Sequence, residues 1–156
     1  MDKALITIRR LQTADAQLYR EIRLESLERE PGAYSSSFAV ENVQPLNWFA
    51  DRVAQSPVFA AFAESELLGI AGFFTQTGAK HARKGAVWGV YVCPRARRQS
   101  VGRRLVETVI DYARDKVEIL QITVVADNDV SSPTMTRRFG FIRGSASCRT
   151  DWKRRR

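Results

Sequence analysis

The apolar positions of the chain change period several times, from the alternation or short continuous runs of strands to the wider spacing of helices. Strands are predicted at 4–11, 58–63, 67–75, 86–92, 119–126 and 139–149. Helices are predicted at about 13–30, 45–54, 100–116 and 130–139. The strand at 119–126 is apolar almost throughout and follows a helix. It is therefore expected to lie inside the sheet, parallel to the strand at 86–92.

The segment 90–113 predicts a strand that runs through a short loop into a helix. The strand ends at Pro94, and the loop contains the small residues Ser100 and Gly102. The apolar face of the helix is formed by Val101, Leu105, Val106, Val109, Ile110 and Ala113. Free N–H groups and the helix dipole make such an N-terminus a binding site for phosphate.

Five arginines surround this turn, namely Arg95, Arg97, Arg98, Arg103 and Arg104. Guanidinium groups pair well with phosphate oxygens, although a run of charges is more often simply a solvated face. The loop has neither the glycine spacing of a dinucleotide-binding turn nor the Lys-Ser/Thr pair of a Walker loop. A phosphate site and an ordinary basic connection both remain open from these residues alone.

The order Val92-Cys93-Pro94 followed by 97–102 (RRQSVG) resembles the acyl-CoA signature of the GNAT acetyltransferases. That signature has a V-x-P strand end followed by R-x-x-G-x-G/A at a helix start. Ser100 stands where the family has its first glycine, and it cannot adopt glycine-only dihedral angles cheaply. Asn128 and Gly140-Phe141 also resemble the closing motif of the family, with one extra residue between them.

The resemblance implies an α/β (α+β) GNAT fold with a mixed central sheet of six to seven strands flanked by helices. The central parallel strand pair would be splayed. The chain would be one domain, 1–156, with a basic C-terminal tail from about 150 to 156. Acetyl-CoA would be the acyl donor. The implied cofactor-binding residues are Tyr91, Val92, Arg97, Arg98, Gln99, Ser100, Val101, Gly102, Arg103, Asn128 and Ser131.

The implied activity is N-acetylation of a primary amine on a small molecule or peptide, by direct transfer in a ternary complex. Tyr91 and Thr136 are the candidate catalytic residues. Thr136 occupies the position of a family tyrosine that protonates the leaving thiolate. The central strand carries no carboxylate, so Glu25, Glu41 and Asp127 are considered as the base. Tyr34 and Phe38, in the turn-rich segment 31–47, are the candidate acceptor-binding residues.

Charge and cysteine content leave other interpretations open. The formal net charge of +8 is concentrated at 95–104 and 153–156, so a basic nucleic-acid-binding module on this fold is the alternative, as is a CoA-binding regulator without catalysis. No apolar run reaches the roughly 18 residues of a membrane span. With two cysteines and no metal-ligand cluster in the sequence, we expect a cytoplasmic protein without a metal. A homodimer is also considered.

Overall fold

The structure, a computed structural model, describes residues 5–34, 36–76, 84–125, 134–141 and 148–154. Within these ranges the strands are β1 (Ile6–Arg10), β2 (Val58–Ala63), β3 (Glu66–Thr75), β4 (Lys84–Val92), β5 (Ile119–Val125), β6 (Thr134–Phe141) and β7 (Cys148–Arg154). The α-helices there are α1 (Ala16–Arg29), α2 (Phe38–Asn42), α3 (Leu46–Gln55) and α4 (Val101–Ala113). None of the described helices has the length and apolar character that crossing a membrane requires.

The strands form a single mixed sheet in which spatial order follows chain order from β1 to β7. Every neighbouring pair is antiparallel except β4 and β5, which are parallel because α4 carries the chain back across the sheet. The predicted mixed α/β fold, with its sheet flanked by helices, is confirmed.

Each face of the sheet buries its own apolar cluster. On one face α4 contributes Val101, Leu105, Val109 and Ala113, all almost fully buried, as its apolar spacing predicts. On the other face α1 and α3 pack through residues such as Tyr19 and Phe49. The side chains of β4 alternate between the two clusters, and this strand therefore lies at the centre of the molecule.

The predicted helix over 130–139 is wrong for its second half. Residues 134–139 belong to β6, which pairs with β5 from Val125↔Thr134 to Ile119↔Gly140. The alternation of β-branched Thr134 and Thr136 suits an extended strand, and pairing on both sides satisfies its backbone groups. Residues 130–133 lie outside the described part of the chain.

The C-terminal elements also differ from expectation. The single last strand predicted over 139–149 is replaced by the end of β6 and by β7. The basic tail expected from about 150 is extended chain in β7 as far as Arg154, because β6 offers it a free edge with which to pair.

The turn-rich segment 31–47 contains a short helix, α2, that the sequence did not predict. The Ser37 side chain caps it by accepting the N–H of Val40 at 3.4 Å. This helix turns Glu41 inward, where its carboxylate is 1% exposed. A buried carboxylate requires partners, and Arg23 of α1 provides them.

Arg23 and Glu41 form a buried, two-pronged ion pair. Arg23 Nε donates to Glu41 Oε2 at 3.0 Å, and Nη2 donates to Oε1 at 2.9 Å. Arg52 Nη1 of α3 adds a third contact to Oε1 at 3.3 Å. Burial alone would raise the pKa of Glu41, but the hydrogen bonds and charge of Arg23 hold it below its ordinary value. Three helices are thus joined through one carboxylate.

We expect Glu41→Gln to destabilise the protein by about 3–5 kcal/mol at neutral pH, because it leaves the buried Arg23 charge without a counter-ion. The pKa of Glu41 is lower in the folded protein than in the unfolded chain. Its contribution to stability is therefore complete above the unfolded pKa of about 4.3, and it is lost as the pH falls through the folded pKa. Urea denaturation over a pH series should show the difference between variant and wild type shrinking in acid. Glu21→Gln, at an exposed position of α1, is the matched control and should change little.

Candidate functional site

The parallel strands β4 and β5 separate halfway along their length. Their pairing runs from Lys84↔Ile119 to Val87↔Ile122 and then stops. Beyond this point β4 remains paired with β3, while β5 remains paired with β6. A gap therefore opens beside Trp88 to Val92, and the edge of β4 facing it has no β5 partner. The splayed pair that the family resemblance implied is confirmed.

A bulge lies in β4 at the start of this gap. Ile70 of β3 pairs with Tyr91 and Gly72 with Trp88, so three steps on β4 match two on β3. Gly89 takes up the extra residue with a φ of 61°, a conformation that glycine adopts without strain. The bulge redirects the backbone groups around Val90, and such features are common beside active sites.

The turn before α4 has the geometry expected of an anion site. Ser100 has a φ of 62° and no capping hydrogen bond from its side chain. The helix hydrogen bonds begin with Arg104 N donating to Ser100 O at 3.0 Å. The N–H groups of Val101, Gly102 and Arg103 therefore find no acceptor among the described residues.

A cavity of about 430 Å³ opens at these N–H groups. Its lining consists of Val92, Ala96, Arg97, Arg98, Ser100, Val101, Gly102 and Arg103. Seven of the predicted cofactor residues therefore meet here. Gln99 faces elsewhere and donates to Arg95 O at 3.2 Å. A Cβ at Gly102 would lie 3.3 Å from Val92, so a glycine lets α4 approach the end of β4 closely.

The arginines around the cavity are not equivalent. Arg97 donates to Val92 O at 3.1 Å and pairs with Glu30 at 2.6 Å. Arg103 pairs with Glu107 on the surface of α4. Arg98, in contrast, is exposed and has no partner within the described part of the chain. Of the charges predicted to face phosphate, Arg98 is therefore more available than Arg97.

The side chain of Tyr91 lies under α1, away from the α4 cavity. It is 2% exposed, and its hydroxyl donates to Glu25 Oε1 at 3.1 Å. Burial raises the pKa of Tyr91, and the Glu25 carboxylate raises it further. Burial also raises the pKa of the neighbouring Cys93 thiol. Tyr91 thus presents only its backbone to the gap, and its hydroxyl is held in a structural contact.

The two predicted acceptor residues lie at different depths on the α1 face. The Tyr34 hydroxyl donates to Val90 O at 3.1 Å and so reaches the bulge itself. Phe38 packs half-buried against the cluster formed by α1 and α3. Tyr34 is thereby placed beside the gap, whereas Phe38 supports the wall behind it.

The structure does not place the remaining predicted site residues beside the α4 cavity or the gap. Thr136 lies in β6, opposite Thr123 of β5, and not on the helix that was expected to carry it. Asn128, Ser131 and the candidate base Asp127 lie outside the described residues. The other two candidate bases, Glu25 and Glu41, are both engaged with arginines.

Sequence reasoning missed a group of arginine and aromatic side chains next to the bulge. Arg23 lies with its guanidinium 5.0 Å from the ring centre of Tyr34 and 5.9 Å from that of Trp88. A signal for it was present, because Arg23 is spaced four residues from both Tyr19 and Leu27. That spacing places it on the buried face of α1.

We expect Ser100→Gly to raise the free energy of unfolding by up to about 1 kcal/mol, because the left-handed strain that it removes exceeds the cost of the entropy that glycine adds to the unfolded chain. Gln99→Gly is the control, since Gln99 lacks a positive φ and should lose stability on the same change. Urea denaturation of both variants makes the comparison. A loss of stability in Ser100→Gly equal to that in Gln99→Gly would contradict the assigned backbone conformation.

The fold has many counterparts among solved structures. An acetyltransferase of the GNAT family from Streptococcus pneumoniae is 18% identical, with a TM-score of 0.65 over 78% of this chain and 76% of that one. A putative acetyltransferase from Salmonella typhimurium, solved with its cofactor acetyl-CoA, is 22% identical with a TM-score of 0.65, over 78% and 71% of the two chains. A ribosomal-protein-alanine N-acetyltransferase from Brucella melitensis is 25% identical with a TM-score of 0.59, over 78% and 76%.

Among curated protein sequences, none shows a significant match to the chain. The model of the acetyltransferase (GNAT) family, however, matches residues 17–141, which include all of α1 but its first residue, the β4 bulge, the α4 turn and β6. With the separated strands and the uncapped helix start, this match establishes that the chain belongs to the GNAT acetyltransferase family.

Proposed function

We propose that the protein transfers the acetyl group of acetyl-CoA directly to a primary amine in a ternary complex. The observation that carries this proposal is the set of N–H groups at the start of α4 that find no acceptor among the described residues, next to the gap between β4 and β5. A diphosphate would supply acceptors to those groups, and an amide-rich arm would pair with β4 along the edge where β5 does not. The acetyl-CoA complex of the similar Salmonella protein supports the same choice of donor.

The residues present fit such a donor at two places. The N–H groups of Val101, Gly102 and Arg103 and the guanidinium of Arg98 would hold the diphosphate. The backbone of Tyr91 and Val92 would bind the arm. Asn128 and Ser131 stay proposed contacts on the resemblance alone.

The donor supplies an activated thioester, and the chain must position the amine and polarise the carbonyl. Redirected backbone N–H groups around Val90 are suited to polarising the carbonyl oxygen. The neutral amine nitrogen then bonds to the carbonyl carbon, the carbon–sulfur bond breaks, and the thiolate takes up the proton that the nitrogen releases. Because Tyr91, Glu25 and Glu41 are engaged, solvent carries this proton in our proposal, and Thr136 stays a candidate for the final donor.

Calorimetry with CoA and release of free thiol from acetyl-CoA in the presence of amines test the proposal together. We expect micromolar to submillimolar binding of CoA and thiol release that depends on an amine. Binding without any amine-dependent turnover would favour a CoA-binding regulator. No binding up to millimolar CoA would remove the proposed function altogether.

We expect Arg98→Gln to weaken CoA binding about three- to tenfold, because one exposed charge-assisted contact to phosphate is lost. The loss should shrink as salt is raised, since the site is open to screening ions. Arg10→Gln removes the same charge from an exposed position on β1 and should leave the affinity unchanged. Calorimetric titration at two salt concentrations provides the measurement, and equal losses in both variants would remove Arg98 from the site.

A further inference from the structure

A second pocket lies on the α1 and α3 face of the sheet, immediately before the bulge. Its volume is about 400 Å³. It is lined by Arg52, Gln55, Ser56, Phe74 and Trp88. Trp88 is the residue directly before Gly89, so this pocket borders the gap on the side opposite α4. None of the lining residues was singled out from the sequence.

We propose that this pocket holds a carboxylate of the amine acceptor, with Arg52 as the residue that binds it. The inference rests on the proposed acetyl transfer and names the class of acceptor: an amine that also carries a carboxylate.

The charges around the pocket do not balance. Arg23 and Arg52 share the single carboxylate of Glu41, which leaves one positive charge in surplus. Arg23 takes the two short contacts, with a side chain only 5% exposed. Arg52 has the longer contact of 3.3 Å and is 34% exposed, and no carboxylate of the described residues lines the pocket beside it. The surplus charge is therefore the one that faces the pocket.

Aromatic rings hold both guanidinium groups in place. The Arg52 guanidinium lies 4.4 Å from the ring centre of Trp48 and 5.5 Å from that of Trp88, on which Arg23 also packs. The indole of Trp88 packs directly against β3 at Gly72, where an added Cβ would lie 2.5 Å from it. Stacking on rigid rings orients the fork of an arginine for two-pronged binding of a carboxylate.

One buried donor next to the bulge finds no acceptor among the residues that the structure describes. Nη1 of Arg23 is buried, has no hydrogen-bond partner in the described part of the chain, and lies 3.7 Å from the position that a Cβ of Gly89 would occupy. A buried N–H without an acceptor costs stability and calls for a partner that arrives later. An oxyanion on the acceptor would lower that cost while its amine reaches the bulge.

Phe74 gives the pocket an apolar side. It is 40% exposed at the end of β3, one of the large apolar residues that the described part of the fold leaves open. Together with Trp88 it offers a surface for the carbon chain that would connect amine and carboxylate. A bare inorganic anion would leave that surface uncovered.

Matched acceptors provide the test. Linear ω-amino acids of increasing length, each paired with its amide, are assayed for amine-dependent release of thiol from acetyl-CoA. At the best length we expect kcat/KM for the acid to exceed that for the amide by at least about tenfold, the effect of one charge-assisted contact. Arg52→Gln should remove this preference by slowing the acid and leaving the amide unchanged, and Arg52→Lys should restore part of it.

Arg10→Gln is the control for net charge and should keep the full preference. Urea denaturation checks that Arg52→Gln is folded, which its partial exposure favours. Arg23 is not substituted, because its removal would leave Glu41 buried and unpaired.

Turnover of acids and amides at equal efficiency, or equal losses for both in Arg52→Gln, would overturn this inference while leaving the transfer function intact. If no member of the panel is acetylated, calorimetry of the acids with the CoA-bound protein decides. Binding that Arg52→Gln weakens tenfold supports the carboxylate site, and no binding overturns it. Failure of CoA itself to bind is a different outcome, since it removes the proposed function and this inference with it.

Discussion

The parting of β4 from β5 after the pair Val87↔Ile122 is the constraint on which the rest of the structure depends. A parallel pair in the middle of a sheet would normally satisfy its backbone groups along its whole length. Here the bulge at Gly89 turns β4 aside, and two clusters hold the strand from both faces. One edge of β4 is thereby left without a strand partner, next to the N–H groups that open α4.

Much of this could be predicted from the sequence, because local patterns determine it. The apolar face of α4, the continuous apolar run of β5 and the order of small residues at Ser100 and Gly102 all act over short stretches of chain. The cavity at the α4 N-terminus was therefore predictable nearly residue by residue. The separation of the strands is different, because no local pattern predicts it and only the resemblance to a family implied it.

The sequence-based predictions fail or fall short where contacts between residues far apart in the chain determine the structure. Thr134 to Phe139 carry apolar residues four apart, which suits a helix, yet two strand partners make the extended form more favourable. Arg97 was predicted to supply charge to phosphate, and nothing in the sequence indicated that Glu30, far away in the chain, pairs with it. Glu41 was considered as a base, but only the fold reveals that it anchors two arginines. The spacing of apolar residues along the chain does not predict pairings of this kind.

Gly72 determines how Trp88 packs in the acceptor site that we propose, although it lines neither cavity. Because Gly72 has no side chain, the indole of Trp88 can pack against β3. The guanidinium groups of Arg23 and Arg52 both pack on that indole. Even a methyl group at position 72 would displace the indole of Trp88 and, with it, the two guanidinium groups that pack on the indole. Among descendants of this chain, a change of substrate preference could therefore begin on a neighbouring strand, with every residue that touches the substrate unaltered.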